Sequence, residues 1–421
     1  MSAHDALRAG CTGLCLLLSL PPAVADSGAD LTLRLDGRSA AGRGPVAQAQ
    51  ALQPGVAAAT PSGRVLQAEL RHTQRLGAGV ALQGNLLLAH QGLQGQPAAD
   101  RSRVNEAHLA WDLGSWQLAA GRKVLGWDVG YGFRPNDLVQ QETRRTQLGQ
   151  TPEGRPLLQL EHFDADTTWA LVLVHPERWQ RSAERQRGAR EAALAARGYT
   201  RLGGLDLHGF ARHGRHTGAS VGAALAWVAG DELELHASAR AVRQHDGWTL
   251  APGGGLLAAR NPWQQATRRG GSQWLLGGQW TGGPSLSLLL EAWHDGSALS
   301  DSDWRQWQHR NRALAAVAAD PARRGAAAGN LAWQATPFDA DNLRRDNVYA
   351  RLAWQPTDWT WAIDTLFSPA DRGRIVSLSL QWKGQQLRLD GSLRLYGGPA
   401  DAVFAQLPLR RSLVLAASLH F

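Results

Sequence analysis

The sequence predicts an all-β protein: one antiparallel barrel whose strands run up and down through a lipid layer. Three observations carry this reading. The only long apolar run stands at the N-terminus, where Leu14 to Leu20 follow Arg8 and precede "PPAVA", with Ala23 and Ala25 in A-x-A spacing. Such a run is too short to span a bilayer, and its flanks are those of a secretory signal. Residues 1–25 are therefore expected to be cleaved, leaving 26–421 as a single barrel domain. Next, segments of about ten residues alternate apolar with polar or small side chains and end in turns, the period of a strand with two unlike faces. Finally, the chain stops flush on Phe421, at the end of an alternating run through Leu413, Leu415 and Leu419.

The elements justify themselves in order. "DLTLRLDGR" places Leu31, Leu33 and Leu35 on one face, and "NEAHLAWDLG" does the same for Leu109 and Trp111. "DELELHASARAV", "NVYARLAW", "DWTWAIDTLF", "RIVSLSLQW" and "QLRLDGSLRLYGG" repeat the pattern. The opposite faces hold Arg34, Asp36, Glu106, Asp112, Arg388, Asp390 and Arg394. Exported strands of this length, apolar on one side and polar on the other, are those of a lipid-embedded barrel with a wet interior. Closure is what lets strands sit in lipid, because every backbone group then has a partner. Trp111, Trp116, Trp274, Trp280, Trp354, Trp359 and Trp382 stand near strand ends, as an interfacial girdle requires.

Strand number follows from loop lengths, since turns should be short on the periplasmic side and loops long outside. Short turns are read at 75–79, 113–115, 163–167, 229–232, 281–285, 355–358 and 383–385. Long loops are read at 39–63, 126–156, 176–198, 243–271, 294–345 and 397–410. A count of alternating runs gives eighteen, including "YTRLGGLDLHGF" and "GNLAWQAT". Treating both as loop structure keeps the long loops on one side and leaves sixteen strands, with eighteen as the alternative. The helical stripe at 179–197 reads as a solvated loop helix.

The ending "RRSLVLAASLHF" resembles the C-terminal signal of Gram-negative outer-membrane proteins. That resemblance implies that Leu413, Leu415, Leu419 and Phe421 are read by the barrel-assembly machinery, and that the C-terminus lies at the periplasm. It makes outer-membrane lipid and lipopolysaccharide the surroundings.

Cys11 and Cys15 both fall within the leader, so disulfides and thiolate metal sites are excluded from the mature chain. The net charge of +8 invites an anion channel. The wall does not support one. Basic inward candidates are Arg34, Arg71, Lys123, Arg240, Arg351, Arg388 and Arg394. Acidic ones are Asp36, Glu69, Glu106, Asp112, Glu232, Glu234, Glu291, Asp364 and Asp390. This mixed wall points to a channel for small hydrophilic solutes, with the Arg excess in loops.

The most distinctive segment is "GRKVLGWDVGYGFRPNDLVQQETRR", 121–145. Trp127, Asp128, Tyr131, Arg134, Asp137, Arg144 and Arg145 are the constriction candidates, since aromatics beside Arg and Asp can stack on and fork to a polar solute. Two placements follow: a loop folded into the lumen, or, the commoner arrangement, an outer loop covering the mouth. At class level the segment resembles porin-like and alginate-export-type barrels, which carry a Trp-Gly-rich, Pro-Asp-containing stretch after an early strand.

Other constellations carry less. His208, His213 and His216 lack a nearby carboxylate in sequence, and "FDAD" at 163–166 and 338–341 reads as turn chemistry rather than part of a Ca²⁺ cage. Ser418 and His420 are the nearest nucleophile–base pair, with no acid beside them in sequence. No phosphate loop or dinucleotide fingerprint appears. The expectation is therefore an outer-membrane porin without enzyme activity, metal, cofactor or nucleic-acid partner. An export channel for an anionic polysaccharide, or a plugged barrel acting through loops such as 294–345, are the alternatives.

Overall fold

A computed structural model describes residues 27–57, 62–94, 96–140, 151–174, 191–251 and 255–421. The expected leader lies outside them. The alternating segments form one antiparallel sheet of eighteen strands. The first six are β1 (Ser27–Ala40), β2 (Gly63–Gly77), β3 (Val80–Leu93), β4 (Ala99–Asp112), β5 (Trp116–Lys123) and β6 (Arg155–Phe163). The next six are β7 (Thr167–Val174), β8 (Ala193–Leu202), β9 (Leu205–Gly214), β10 (Gly218–Val228), β11 (Leu233–Leu250) and β12 (Trp263–Gly282). The ring is completed by β13 (Leu286–Asp295), β14 (Asp346–Trp354), β15 (Trp359–Phe367), β16 (Arg374–Lys383), β17 (Leu387–Gly397) and β18 (Leu409–His420). β1 pairs with β18 from Asp30↔His420 to Arg38↔Ser412, so the sheet closes and no strand is left as an edge.

The alternation assigns the faces. Leu33, Leu35, Leu109, Trp111, Leu276, Leu290, Trp354, Trp361, Leu378, Leu413 and Leu415 are all exposed on the outside. Their neighbours of opposite parity, Asp36, Glu291, Asp364, Asp390 and Arg394, are buried in the interior. Ser27, where β1 begins, and Phe421 share one end of the barrel with eight short turns, and Trp111, Trp116, Trp169, Trp227, Trp280, Trp354, Trp359 and Trp382 crowd that end. There Trp116 stands edge-on to Trp169 at 5.1 Å, and Trp359 lies 6.4 Å from Trp382.

The expected sixteen strands are thus corrected to eighteen. "YTRLGGLDLHGF" is the second half of β8, a turn, and the first half of β9. Gly203, at φ 61°, supplies the left-handed backbone that reverses the chain there. This turn belongs with the short ones, and the β9–β10 connection opposite it spans only residues 215–217. "GNLAWQAT" is helical, so the alternation there was accidental. The stripe at 179–197 is strand from Ala193 onward; residues before 191 lie outside the described set. The stretch 243–271 is mostly wall, because β11 and β12 run on as a tall hairpin paired to Leu250↔Trp263.

Long connections gather at the other end. Helix α1 (Pro45–Leu52) follows β1; α2 (Asp301–Val317) and α3 (Arg324–Trp333) follow β13. α2 opens with a capping box between Ser300 and Asp303. Trp304 and Trp307 on α2 are fully buried with Phe338, Trp248, Trp263, Ile375 and Phe404. Ala49 of α1, Leu314 of α2 and Leu331 of α3 form a second small core. The helices therefore make a folded cap seated on the tall hairpin, not a solvated loop. Among the described residues no helix is long and apolar enough to cross a membrane, which says nothing of a barrel.

Candidate functional site

The segment after β5 does not cover the mouth; residues 124–137 enter the barrel and cross it. Leu125, Trp127, Leu138 and Val139 pack on inward Leu157, Val172, Ala195 and Phe210, which ties the base of the segment to β6–β9. The tip then reaches the far wall. Tyr131 stacks on Tyr349 of β14 at 6.2 Å, and Phe133 on Trp293 of β13 at 5.8 Å. β14 stands nine positions round the ring from β5, directly opposite.

Polar anchors hold the tip. The backbone N–H groups of Tyr131 and Gly132 donate to the two carboxylate oxygens of Glu291, each at 2.6 Å. Glu291 is almost wholly buried, and His236 Nε2 lies 3.0 Å from its Oε1. Asn136 donates through Nδ2 to Ser238 Oγ at 2.9 Å and to the carbonyl of Ala239 at 3.0 Å. Ser238 donates to Asp128 Oδ2 at 2.9 Å, and the same oxygen accepts from the Asn136 N–H at 2.5 Å. Arg240 Nη1 donates to the Pro135 carbonyl at 3.2 Å. Burial pushes the Asp128 carboxyl above its ordinary range, only partly offset by these donors.

The wall makes room for this. A Cβ on Gly222 would fall 1.8 Å from Asn136 Oδ1, and one on Gly277 would strike His236 and Glu291. Inward Ser220, Gly222 and Ala224 of β10 and Ser238 of β11 form a recess that a larger side chain would fill. Sequence reading named Glu291 only as one wall charge and missed Ser238, Asn136 and His236. A cluster of small inward residues on adjacent strands was the available signal.

The segment leaves part of the lumen open. Arg34, Glu69, Arg71, Arg388 and Asp390 line one cavity of about 460 Å³ with Thr151 and Ser418. Within it Arg388 Nε donates to Asp390 at 2.9 Å, and Arg71 Nη2 donates to Thr151 at 3.1 Å. Thr151 in turn donates to Glu69. A second, smaller space of about 140 Å³ lies between the tip and the cap, with Phe133, Arg134, Asp137, Arg240, Trp248 and Asn342 on its walls.

Other candidates lie apart from that cavity. Arg351 and Tyr349 both donate to Asp364, at 2.9 and 2.6 Å. Arg394 donates to Ser377 Oγ at 3.1 Å, and Glu106 accepts from the Val124 N–H at 3.0 Å, at the point where the segment leaves the wall. Asp112 is a turn residue, accepting from Gly114 N–H at 3.0 Å, and is not in the middle of the wall. Arg144 and Arg145 lie outside the described residues. Inward Arg155, Arg197, Arg212 and Asp295 join the wall because the segments that carry them, expected as loop, are strands or strand ends. Arg212 donates to buried Glu191 at 2.8 Å; although burial opposes ionisation, Thr217, Arg212 and the His216 N–H outweigh it and hold Glu191 below the usual carboxylate range.

The histidines do not converge. His208 faces inward beside Tyr199, His213 is exposed on the opposite face, and His216 Nε2 pairs with Asp246 at 2.8 Å. Among the described residues there is no cluster of His, Cys, Asp and Glu that could hold a metal ion. Ser418 shares a hydrogen bond with Thr32 at 2.8 Å, while His420 pairs with Asp30 across the β1–β18 seam. An acid thus does stand beside His420, contrary to expectation, but the described contacts do not join Ser418 to His420.

No family model matches the sequence, and no curated protein matches it. Solved structures do. OccAB1 of Acinetobacter baumannii is 10% identical, aligns over 94% of this chain and 97% of its own, and has a TM-score of 0.56. OccK8 (OprE) of Pseudomonas aeruginosa is 11% identical over 94% and 98%, with a TM-score of 0.55. At such identities the likeness concerns the fold. That fold, a closed antiparallel β-barrel of eighteen strands, is the fold of a porin-like outer-membrane barrel.

Proposed function

We propose that this chain is an outer-membrane channel through which small hydrophilic solutes diffuse passively, with residues 124–140 as its constriction. The observation that carries the reading is the tethering of Tyr131 and Gly132 to Glu291 of β13 and of Asn136 to Ser238 of β11, across the lumen from β5. A covering loop has no need of buried anchors inside the lumen. A constriction does, because its geometry must persist against solute traffic. The termini and short turns then lie at the periplasm, and the helical cap faces outside. Leu413, Leu415, Leu419 and Phe421 form the assembly signal, and outer-membrane lipid meets the apolar belt. Arg144 and Arg145 belong to the same constriction on sequence grounds.

The wall of the open cavity alternates in sign, as in the pairs Arg388–Asp390 and Arg71–Glu69. That favours weak ion selectivity and a transverse field over a basic conduit for an anionic polymer. Purified protein in a planar bilayer should give stepwise conductance and a reversal potential near zero in a salt gradient. A silent bilayer overturns the channel, and strong anion selectivity moves the reading to polysaccharide export. The cap, with its own aromatic core, supports a second reading in which outer loops bind a partner.

A further inference from the structure

We propose that the outer wall at the β1–β18 seam binds the phosphate groups of an outer-leaflet lipid. This rests on the placement of the barrel in the outer membrane and on nothing about conduction. The register breaks at one point of the seam: Ser39 pairs with Arg411, but Ala40 pairs with Leu409, so Arg410 is an extra residue in a β-bulge. In a regular strand adjacent residues face opposite sides; a bulge re-aims one of them. Here Arg410 and Arg411 are both exposed and line one cleft of about 360 Å³ with Ser39, Leu395 and Tyr396. Arg410 and Tyr396 also border a neighbouring cleft of about 350 Å³ that contains Arg43, whose Nε donates to the Ala405 carbonyl at 3.0 Å.

The surrounding wall extends the pattern. Arg411 shares its cross-strand row with Ser39 and Leu395, and Leu395 is 42% exposed on the outside. One row nearer the termini Arg64 of β2 pairs with outward Gly37; one row nearer the cap Arg374 of β16 pairs with Gly397. Arg64, Arg411 and Arg374 thus cross five adjacent strands, an arc of about 20 Å at ordinary strand spacing. Among the described residues, Arg64, Arg374, Arg410 and Arg411 have no acidic partner, and the outward positions of β1, β2, β16, β17 and β18 hold no Asp or Glu. Directly toward the termini, the same face becomes Leu35, Leu66, Leu378, Leu413 and Leu415.

Unpaired guanidinium groups above an apolar band match a lipid that carries phosphate above acyl chains. Each guanidinium can fork to a phosphate with two parallel hydrogen bonds, and the poorly hydrated headgroup layer strengthens them. A soluble anion would gain nothing from the leucines below.

The test uses the full mature barrel in detergent, titrated with bisphosphorylated lipid A, fully dephosphorylated lipid A and inorganic phosphate, with bound lipid counted by native mass spectrometry. Wild-type protein should retain bisphosphorylated lipid A about tenfold or more over the dephosphorylated form. Arg410→Gln with Arg411→Gln should abolish that preference, and Arg305→Gln on the exposed side of the cap should leave it intact. Heat-modifiable migration on a gel shows that each variant is folded. Equal retention of both lipids, or a preference that survives the double variant, overturns the proposal. Stabilisation by inorganic phosphate alone, lost in the double variant without any lipid preference, assigns the clefts to a free anion and also overturns it. Conductance of the wild-type barrel separates the two readings, since a barrel that binds lipid but never conducts sinks only the channel.

Discussion

Removing the Glu291 carboxylate should free the tip of the crossing segment. Its two oxygens accept hydrogen bonds from the Tyr131 and Gly132 N–H groups, both at 2.6 Å, and its side chain is inaccessible to water. Hydrogen bonds to a charged acceptor contribute about 1.5–3 kcal/mol each, so Glu291→Ala should cost the docked tip about 3–6 kcal/mol. At about 1.4 kcal/mol per decade, the lower figure already shifts the docked-to-lifted ratio by roughly a hundredfold. Ring stacking on Tyr349 and Trp293 opposes release, but such pairs contribute only about 0.5–1.5 kcal/mol beyond their burial. The segment should stay attached at its base, because Trp127 and Leu138 pack elsewhere, on β6–β9. Single-channel recordings should therefore show larger conductance and more open-channel noise in Glu291→Ala, with the barrel still heat-modifiable. Glu291→Gln, which keeps one acceptor oxygen, should fall between. Wild-type conductance and noise in Glu291→Ala would refute the claim that this carboxylate positions the constriction.

The remaining predictions concern other parts of the molecule. Burial raises the Asp128 carboxyl, so the docked segment binds a proton more readily than a freed one. Docking should then strengthen as pH falls and weaken as pH rises from the ordinary carboxylate range through the raised value; noise analysis against pH should lose this dependence in Asp128→Asn. Trp307 is fully buried and donates to the Gln334 carbonyl at 3.0 Å. Trp307→Ala should destabilise the cap by about 3–5 kcal/mol, read as protease cleavage within 296–345 while the barrel band survives. Phe421 is 64% exposed on the outer face, and its backbone pairs with Ala29 at the seam. Its deletion should lower the amount of protein assembled into the membrane without changing the conductance of the assembled fraction.

Much of the wall was legible because facing depends on parity, which survives errors of strand count. Alternation with apolar residues places Asp364, Asp390 and Arg394 on the interior, where they are buried, and Arg34 and Glu69 likewise, where they line the open cavity. The number sixteen failed for a local reason. A rule that expects long outer loops cannot accept the β9–β10 connection at 215–217, so the Gly203–Gly204 reversal was read as loop chemistry rather than a turn between two strands. The cap was illegible for another reason. α3 is rich in Ala and Gly, with no strong stripe, and takes its stability from burying Leu331 against Leu314 and Ala49, which are distant in sequence.

The crossing segment shows how a loop's destination can be written in the strands that receive it. Its own residues suit either placement, since Pro135, Asn136 and Asp137 make a turn wherever they lie. What decides is the opposite wall. Gly222 and Gly277 leave space that any side chain would occupy, Ser238 offers a hydroxyl, and Glu291 presents two carboxylate oxygens to the segment. A carboxylate that the docked tip buries demands hydrogen-bond donors, and consecutive backbone N–H groups at a glycine-containing tip supply them. The recess and the tip therefore specify each other, and a bulky residue at position 222 should displace the segment as effectively as any change within it.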